Sequence, residues 1–267
     1  MQNFEDMEFY PAALTISRSD ASGGAGIQAD LRTFNAFGIY GCTAITAVAE
    51  KTLTADAVQS QLESVLDAIP VRIAKCGFCG DDSIAGVIAD IVCERKLPLI
   101  VDPVIFSAAD ARLPEKLFPL AAWITPDVQT AELILGRKLE GRKALAEAAG
   151  TFYDRYGCNV VLRSSYASAG KAVTDFVCCD GKLFTLSSPA VRVAEKTLHG
   201  AGCTFSAALT AGLAFGMNWD QAVTEAKSFV YGSLCEAVHL SGNVVRMYPP
   251  SEDSLGRIRL EAWKDKN

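Results

Sequence analysis

The stretch His199-Gly200-Ala201-Gly202-Cys203-Thr204-Phe205-Ser206 runs into a small-residue apolar segment, residues 207–215. Two glycines ahead of a helix-forming run allow a ligand to approach the backbone, and the helix start offers unpaired N–H groups with partial positive charge behind them. A phosphate oxygen fits such a place. Cys203 falls in the first turn, where the same field is expected to stabilise a thiolate and draw its pKa below the roughly 8.5 of a free cysteine. That makes it a candidate general base. Taken alone, the octapeptide is equally compatible with a glycine turn before a buried helix in which Cys203 is a small hydrophobe.

A second glycine cluster lies near the N-terminus: Ser19-Asp20-Ala21-Ser22-Gly23-Gly24-Ala25-Gly26-Ile27-Gln28-Ala29-Asp30. It follows a strand-like apolar run at 12–16 and precedes Leu31, Phe34 and Phe37, spaced as on one helix face. Strand, glycine loop and helix form a ligand-binding layout, but the residues match neither the P-loop nor the G-x-G-x-x-G fingerprint. Together with Val101-Asp102-Pro103-Val104, Ile124-Thr125-Pro126 and the late His-Gly-x-Gly-Cys-Thr, in this order, the cluster closely resembles the hydroxymethylpyrimidine/phosphomethylpyrimidine kinases of the ribokinase-like superfamily. The resemblance spans residues 12–240.

The resemblance implies an α/β fold, a ribokinase-like three-layer α/β/α domain with a mostly parallel central sheet and an antiparallel edge hairpin. It implies ATP and Mg2+ as cofactors. The expected reaction is phosphorylation of 4-amino-5-hydroxymethyl-2-methylpyrimidine, its monophosphate, or both, in thiamine biosynthesis. Cys203 would be the base, where the wider superfamily usually has Asp, beside the backbone of Gly200, Ala201 and Gly202. Arg18, Asp20, Gly24, Ala25, Asp30, Glu50, Phe78 and Val104 would meet the pyrimidine, and Asp102, Asp127, Arg163 and Thr204 the nucleotide. The resemblance also allows a homodimer. Two other readings are a kinase of the same fold acting on a pyridoxal-type ring, and a ligand-binding relative that has lost turnover.

Several positions depart from the family pattern. Asn-x-x-Glu after Ile-Thr-Pro is Asp127-Val128-Gln129-Thr130, which removes a Glu that helps organise Mg-bound phosphates. Lys-Gly-Gly is Arg163-Ser164-Ser165, and a Gly before Ser-Asp is Arg18. A substrate-contacting Gln is Glu50, and Lys-Ser-Gly-Asp is Ser107-Ala108-Ala109-Asp110.

The elements that must position these residues alternate. Strand-like runs at 14–17, 43–48, 71–76, 99–101, 123–124 and 160–162 are separated by helical patterns at 27–37, 58–68, 83–94, 129–135 and 142–156. Such alternation implies a mostly parallel sheet covered on both faces. Runs at 173–178 and 183–187 around Asp180-Gly181 predict an edge hairpin. Helices at 202–215 and 219–239 close the domain, with 241–267 as a peripheral tail. In open sheets of this kind ligands bind beyond the carboxyl ends of the strands, where Asp20, Asp102, Asp127, Arg163 and Cys203 all fall.

With 267 residues, 50% of them hydrophobic, the chain can bury a large core as one domain, residues 1–267. A net charge of -6, without runs of Lys or Arg, argues against nucleic acid or an anionic membrane as partner and leaves a small molecule. Glu5, Asp6 and Glu8 do not suit a signal peptide, and nine cysteines are better read as reduced thiols in the cytoplasm than as a disulfide framework. Cys76-Gly77-Phe78-Cys79 is a lone C-x-x-C in a strand end. The two histidines, His199 and His239, have no partners at metal-ligand spacing, so His199 reads as a turn residue and His239 as the end of the last helix.

Overall fold

Side chains alternate across the strands of one large sheet, and the two resulting apolar faces are covered by different helices. The structure is a computed structural model that describes residues 10–49, 51–105, 112–164, 172–191, 199–241 and 244–264. Strands β1 (Ala12–Ser19), β2 (Tyr40–Val48), β4 (Val71–Cys76), β5 (Leu99–Val101), β6 (Trp123–Ile124) and β7 (Asn159–Leu162) are parallel. The short β3 (Lys51–Thr52) runs antiparallel beside β2 at one edge. At the other edge β8 (Ala172–Cys179), β9 (Lys182–Pro189) and β12 (Arg259–Ala262) are antiparallel, giving the order β12-β9-β8-β7-β6-β5-β4-β1-β2-β3.

Leu14, Ile16, Ala74, Cys76, Leu99, Val101, Ile124 and Val160 face one layer, containing α2 (Ala55–Ala68), α3 (Asp82–Arg95), α5 (Val128–Leu135) and α6 (Gly141–Tyr156). Ala13, Ile73, Ile100, Trp123, Val161 and Val177 face the other, with α1 (Gly26–Ala36), α7 (Ala201–Phe215) and α8 (Trp219–Cys235). A short α4 (Arg112–Glu115) precedes β6. This is the expected three-layer arrangement. Small residues along α7, among them Ala207, Ala208 and Ala211, are fully buried and let the helix lie close on the sheet. Sharp starts are capped by side chains: Asp81 accepts from the N–H groups of Ser83 and Ile84, each at 3.0 Å, and Asp127 from that of Thr130 at 2.7 Å.

The β8–β9 hairpin turns at Asp180-Gly181, both at positive φ, as a two-residue primed turn requires. Between β1 and β2 the register slips: Ser17 pairs with Ile45 but Arg18 with Ala47, so Thr46 is passed over. Its hydroxyl donates to the Phe78 carbonyl at 2.7 Å.

Two sequence expectations fail near the C-terminus. The last helix stops at Cys235, and His239 lies in a strand, β10 (Val238–Ser241), paired antiparallel with β11 (Val244–Arg246). Backbone groups that would have continued the helix are taken by this ladder. The segment 241–267 is also more than a tail, because β12 extends the main sheet and Trp263 packs edge-on against Phe176 at 5.6 Å. Among the described residues no helix is long and apolar enough to cross a membrane.

Candidate active site

A cleft of about 310 Å³ opens beyond the carboxyl ends of the parallel strands. Of the residues expected at the site, Arg18, Ala25, Phe78, Asp102, Val104, Asp127, Arg163, Gly200, Gly202 and Cys203 line it. Each stands where a strand ends or a helix begins, which is how residues distant in sequence converge.

The two glycine loops interlock at its rim. Gly200 caps α7 at φ +89°, and a Cβ there would stand 1.8 Å from the Gly24 carbonyl oxygen. Asp20 and His199, one from each loop, are joined at 3.0 Å. The Asp20 carboxylate also accepts from the Ser22 N–H at 2.9 Å, the Ser22 hydroxyl at 3.0 Å and the Ala25 N–H at 2.9 Å. Partial burial works to raise its pKa, but the bonds from His199, Ser22 and Ala25 outweigh burial and hold it down to about 2. Asp20 and Gly24, expected against the substrate, shape the loop and are absent from the cleft lining.

The first backbone bond of α7 runs from the Thr204 N–H to the Gly200 carbonyl at 2.8 Å. The N–H groups of residues 201–203 precede it and have no acceptor within their own helix. Arg163 closes this cradle. Its Nη2 donates to Asp102 Oδ1 at 2.9 Å and its Nε to the Thr125 carbonyl at 2.8 Å, while a Cβ on Gly202 would lie 2.5 Å from its Nη1. Ser206 donates to the other Asp102 oxygen at 3.0 Å. Asp102 is therefore an anchor for Arg163 more than an open acceptor. The Thr204 side chain, expected at the nucleotide, is buried and borders a small cavity with Ala29, Thr33 and Phe229 instead. Helical rotation carries it away from the face that Gly202 and Cys203 present.

Cys203 is half-buried in the cleft wall, which it shares with Gly26 at the start of α1. The thiol is therefore close to two helix starts, yet its pKa is raised. Burial pushes it up by more than Lys75 and the Gly26 N–H pull it down. The expected depressed pKa is thus reversed: desolvation of the thiolate outweighs the helix field.

Asp30, expected at the pyrimidine edge, is fully buried beneath the site. Both its oxygens lie 2.8 Å from the Lys75 ammonium, and the Thr15 hydroxyl donates to it at 2.6 Å. Lys75 was not among the sequence candidates because it stands inside a run that reads as an apolar strand. The signal was there: position 75 shares a strand face with the buried Ile73, and a lysine on such a face needs an anion. A second buried pair, Lys227 with Asp175 at 2.7 Å, lies behind Arg163, and Asp175 also accepts from the Ser164 N–H at 2.8 Å.

Asp127 caps α5 and brings Thr130 to the cleft. Among the described residues no cluster of three or more His, Cys, Asp or Glu side chains is placed to hold a metal. A single carboxylate such as Asp127 still fits Mg2+, which is commonly held by one or two carboxylates together with substrate phosphates. Glu50, Ser165 and the Ser107-Ala108-Ala109-Asp110 segment lie outside the described residues.

An open, mostly parallel sheet with helices on both faces and a cleft beyond the carboxyl ends of its strands is the fold of the ribokinase-like kinases. The chain belongs to the phosphomethylpyrimidine kinase family, whose model matches residues 20–247. It is 35% identical over 249 residues to the hydroxymethylpyrimidine/phosphomethylpyrimidine kinase of Haemophilus influenzae, covering 85% of this chain and 92% of that protein. Among solved structures it is similar to the ADP complex of Bacillus subtilis pyridoxal kinase, with a TM-score of 0.83 and 32% identity over 90% of this chain and 97% of that one. Staphylococcus aureus pyridoxal kinase in complex with AMP-PCP and pyridoxal gives a TM-score of 0.85 and 26% identity, over 95% and 99% of the two chains.

Proposed function

We propose that this protein transfers the γ-phosphoryl group of ATP to the hydroxymethyl oxygen of 4-amino-5-hydroxymethyl-2-methylpyrimidine, and to the phosphate of its monophosphate, in thiamine biosynthesis. The observation that carries the reading is the Cys203 sulfur beside the N–H groups of residues 201–203. A group accepting a proton stands next to donors for the charge on the group being transferred. Phosphoryl transfer asks little more of a protein than positioning, late deprotonation of the acceptor and charge stabilisation.

In this reading Phe78, Val104 and Ala25 bracket the ring, and Cys203 takes the hydroxyl proton as the oxygen attacks. Arg163 and the α7 N–H groups hold the phosphates. Mg2+, when bound through the nucleotide, neutralises phosphate charge near Asp127. Residues 1–267 act as one domain, since both glycine loops meet on a single sheet. The nine cysteines, all free thiols, support a cytoplasmic setting, and a homodimer is compatible with the site.

The structural likeness to pyridoxal kinases favours one alternative, a pyridoxal-type acceptor in the same cleft. ADP release measured side by side with hydroxymethylpyrimidine, its monophosphate and pyridoxal decides. The highest kcat/KM is expected for a pyrimidine; preference for pyridoxal transfers the assignment to the alternative, and no release with any of the three removes the kinase reading.

A further inference from the structure

Strand β7 ends at Leu162, whose partner on the antiparallel β8 is Phe176, so Arg163 and Ser164 run past the end of that ladder. Continued register would set Arg163 opposite Asp175 and Ser164 opposite Thr174. The Asp175 side chain takes over instead. Its Oδ1 accepts from the Ser164 N–H at 2.8 Å, and the Ser164 hydroxyl is shared between the Thr174 carbonyl and that same carboxylate oxygen, 3.3 Å away. A carboxylate thus holds the backbone where strand pairing lapses.

That carboxylate is itself held. Asp175 shares a strand face with Val177, two residues on, and this face is covered by α7 and α8. Lys227, on α8, donates to Asp175 Oδ2 at 2.7 Å. One oxygen on Lys227 and the other on Ser164 fix how the carboxylate is turned. The two side chains are 0% and 2% exposed, and charges so deep are costly unless paired and hydrogen-bonded. Exchanging such a pair for apolar residues is often neutral or stabilising, so stability alone does not account for its presence here.

What the pair holds is one residue from the cleft. The Arg163 N–H donates to the Pro126 carbonyl at 2.9 Å, and Arg163 bridges to Asp127 on the side away from β8. The backbone is therefore pinned at Arg163 from one side and at Ser164 from the other. From that base the guanidinium reaches Thr125 and Asp102 and lies against Gly202 at the start of α7. We propose that Lys227 and Asp175 are positioning residues that act through Ser164 to aim Arg163 at the phosphates. The inference rests on the reading of Arg163 as a phosphate-holding residue. Neither Asp175 nor Lys227 lines the cleft, so direct contact with a ligand is not part of it.

The test measures ADP affinity by titration calorimetry, which needs no turnover. Lys227→Met/Asp175→Leu removes the acceptor for the Ser164 N–H and is expected to bind ADP roughly tenfold more weakly. Lys227→Met/Asp175→Asn also removes the ion pair but keeps an acceptor oxygen, and should recover most of that affinity. In an Arg163→Ala background the first double substitution should cost nothing further, because its effect passes through Arg163. Wild-type affinity in Lys227→Met/Asp175→Leu, an equal loss in both double variants, or the same loss with and without Arg163 overturns the proposal. Should neither double variant fold, Ser164→Ala carries the test at smaller amplitude: about fivefold weaker binding is expected in the wild-type background and none after Arg163→Ala, and equal effects in the two overturn it. If Arg163→Ala alone binds ADP as tightly as wild type, Arg163 does not hold phosphate, and the proposal falls with the reading beneath it; if Arg163→Ala weakens binding while the pair substitutions do not, the proposal alone fails.

Discussion

Gly200 lies so close to the Gly24 carbonyl oxygen that a side chain at position 200 would begin 1.8 Å from it. The two glycine motifs, 176 residues apart in numbering by the difference of 200 and 24, thus form one backbone contact. Gly200→Ala must move one loop off the other and also adopt a positive φ, a strain of about 1–3 kcal/mol before the clash is counted. Thermal unfolding should show a clear loss of stability and ATP should restore little of it. A variant as stable as wild type that still binds ATP would mean that the loops do not need this contact.

Cys203→Ala should lower kcat by roughly 10²- to 10⁴-fold and leave the affinity for ATP nearly intact. Because burial raises the Cys203 pKa, the thiolate is the minor form at neutral pH, and turnover should climb with pH toward the alkaline side of the ordinary thiol range. That alkaline limb should vanish in Cys203→Ala. A wild-type pH profile in the variant would assign the limb to another group.

Thr130 stands in the first turn of α5 at the cleft, where the family pattern has Glu. Thr130→Glu should add a carboxylate beside the nucleotide phosphates and lower the Mg2+ concentration needed for half-maximal rate. An unmoved Mg2+ titration would count against metal organisation from this position.

Arg18 brings a long cationic side chain to a cleft wall where the family pattern has Gly. The added bulk should restrict the ring, so Arg18→Gly is expected to raise kcat/KM for hydroxymethylpyrimidine. If Arg18 instead recruits an anion, the monophosphate is the better wild-type substrate and loses that advantage in the variant. Equal kinetics for both proteins with each substrate would defeat either role.

Asp20 is a depressed carboxylate, with a folded pKa of about 2 against an ordinary 3.8. Its stabilising contribution is therefore present above 3.8 and is lost as pH falls toward 2. The difference in melting temperature between wild type and Asp20→Asn should be largest near neutral pH and shrink over that acid window. A difference independent of pH would mean that the loop depends on the shape of the side chain alone.

Both glycine loops, the strand ends and the alternation of layers were legible in the sequence because each is a local signal: a turn residue, an apolar run, a helix period. What escaped depended on long-range pairing. Asp30 has the right spacing on α1 to face a ligand, but Lys75 on β4 and Thr15 on β1 bind it in the interior. Cys203 occupies the helix start its sequence announces, but the sign of its pKa shift depends on how much water is excluded around it. His239 continues a helical pattern until residues 244–246 supply a strand to pair with. The resemblance assigns Thr204 to the phosphates, and one further step of helical rotation carries its side chain off that face.

The register slip between β1 and β2 falls beside Arg18, and the residue passed over, Thr46, is tied to the Phe78 carbonyl. The slip puts the extra residue on β2, so Arg18 and Ser19 pair with Ala47 and Val48 in a register of their own beyond it. A change of side chain at position 18 would then alter the rim of the cleft while leaving the backbone pairing beneath it to the residues on either side.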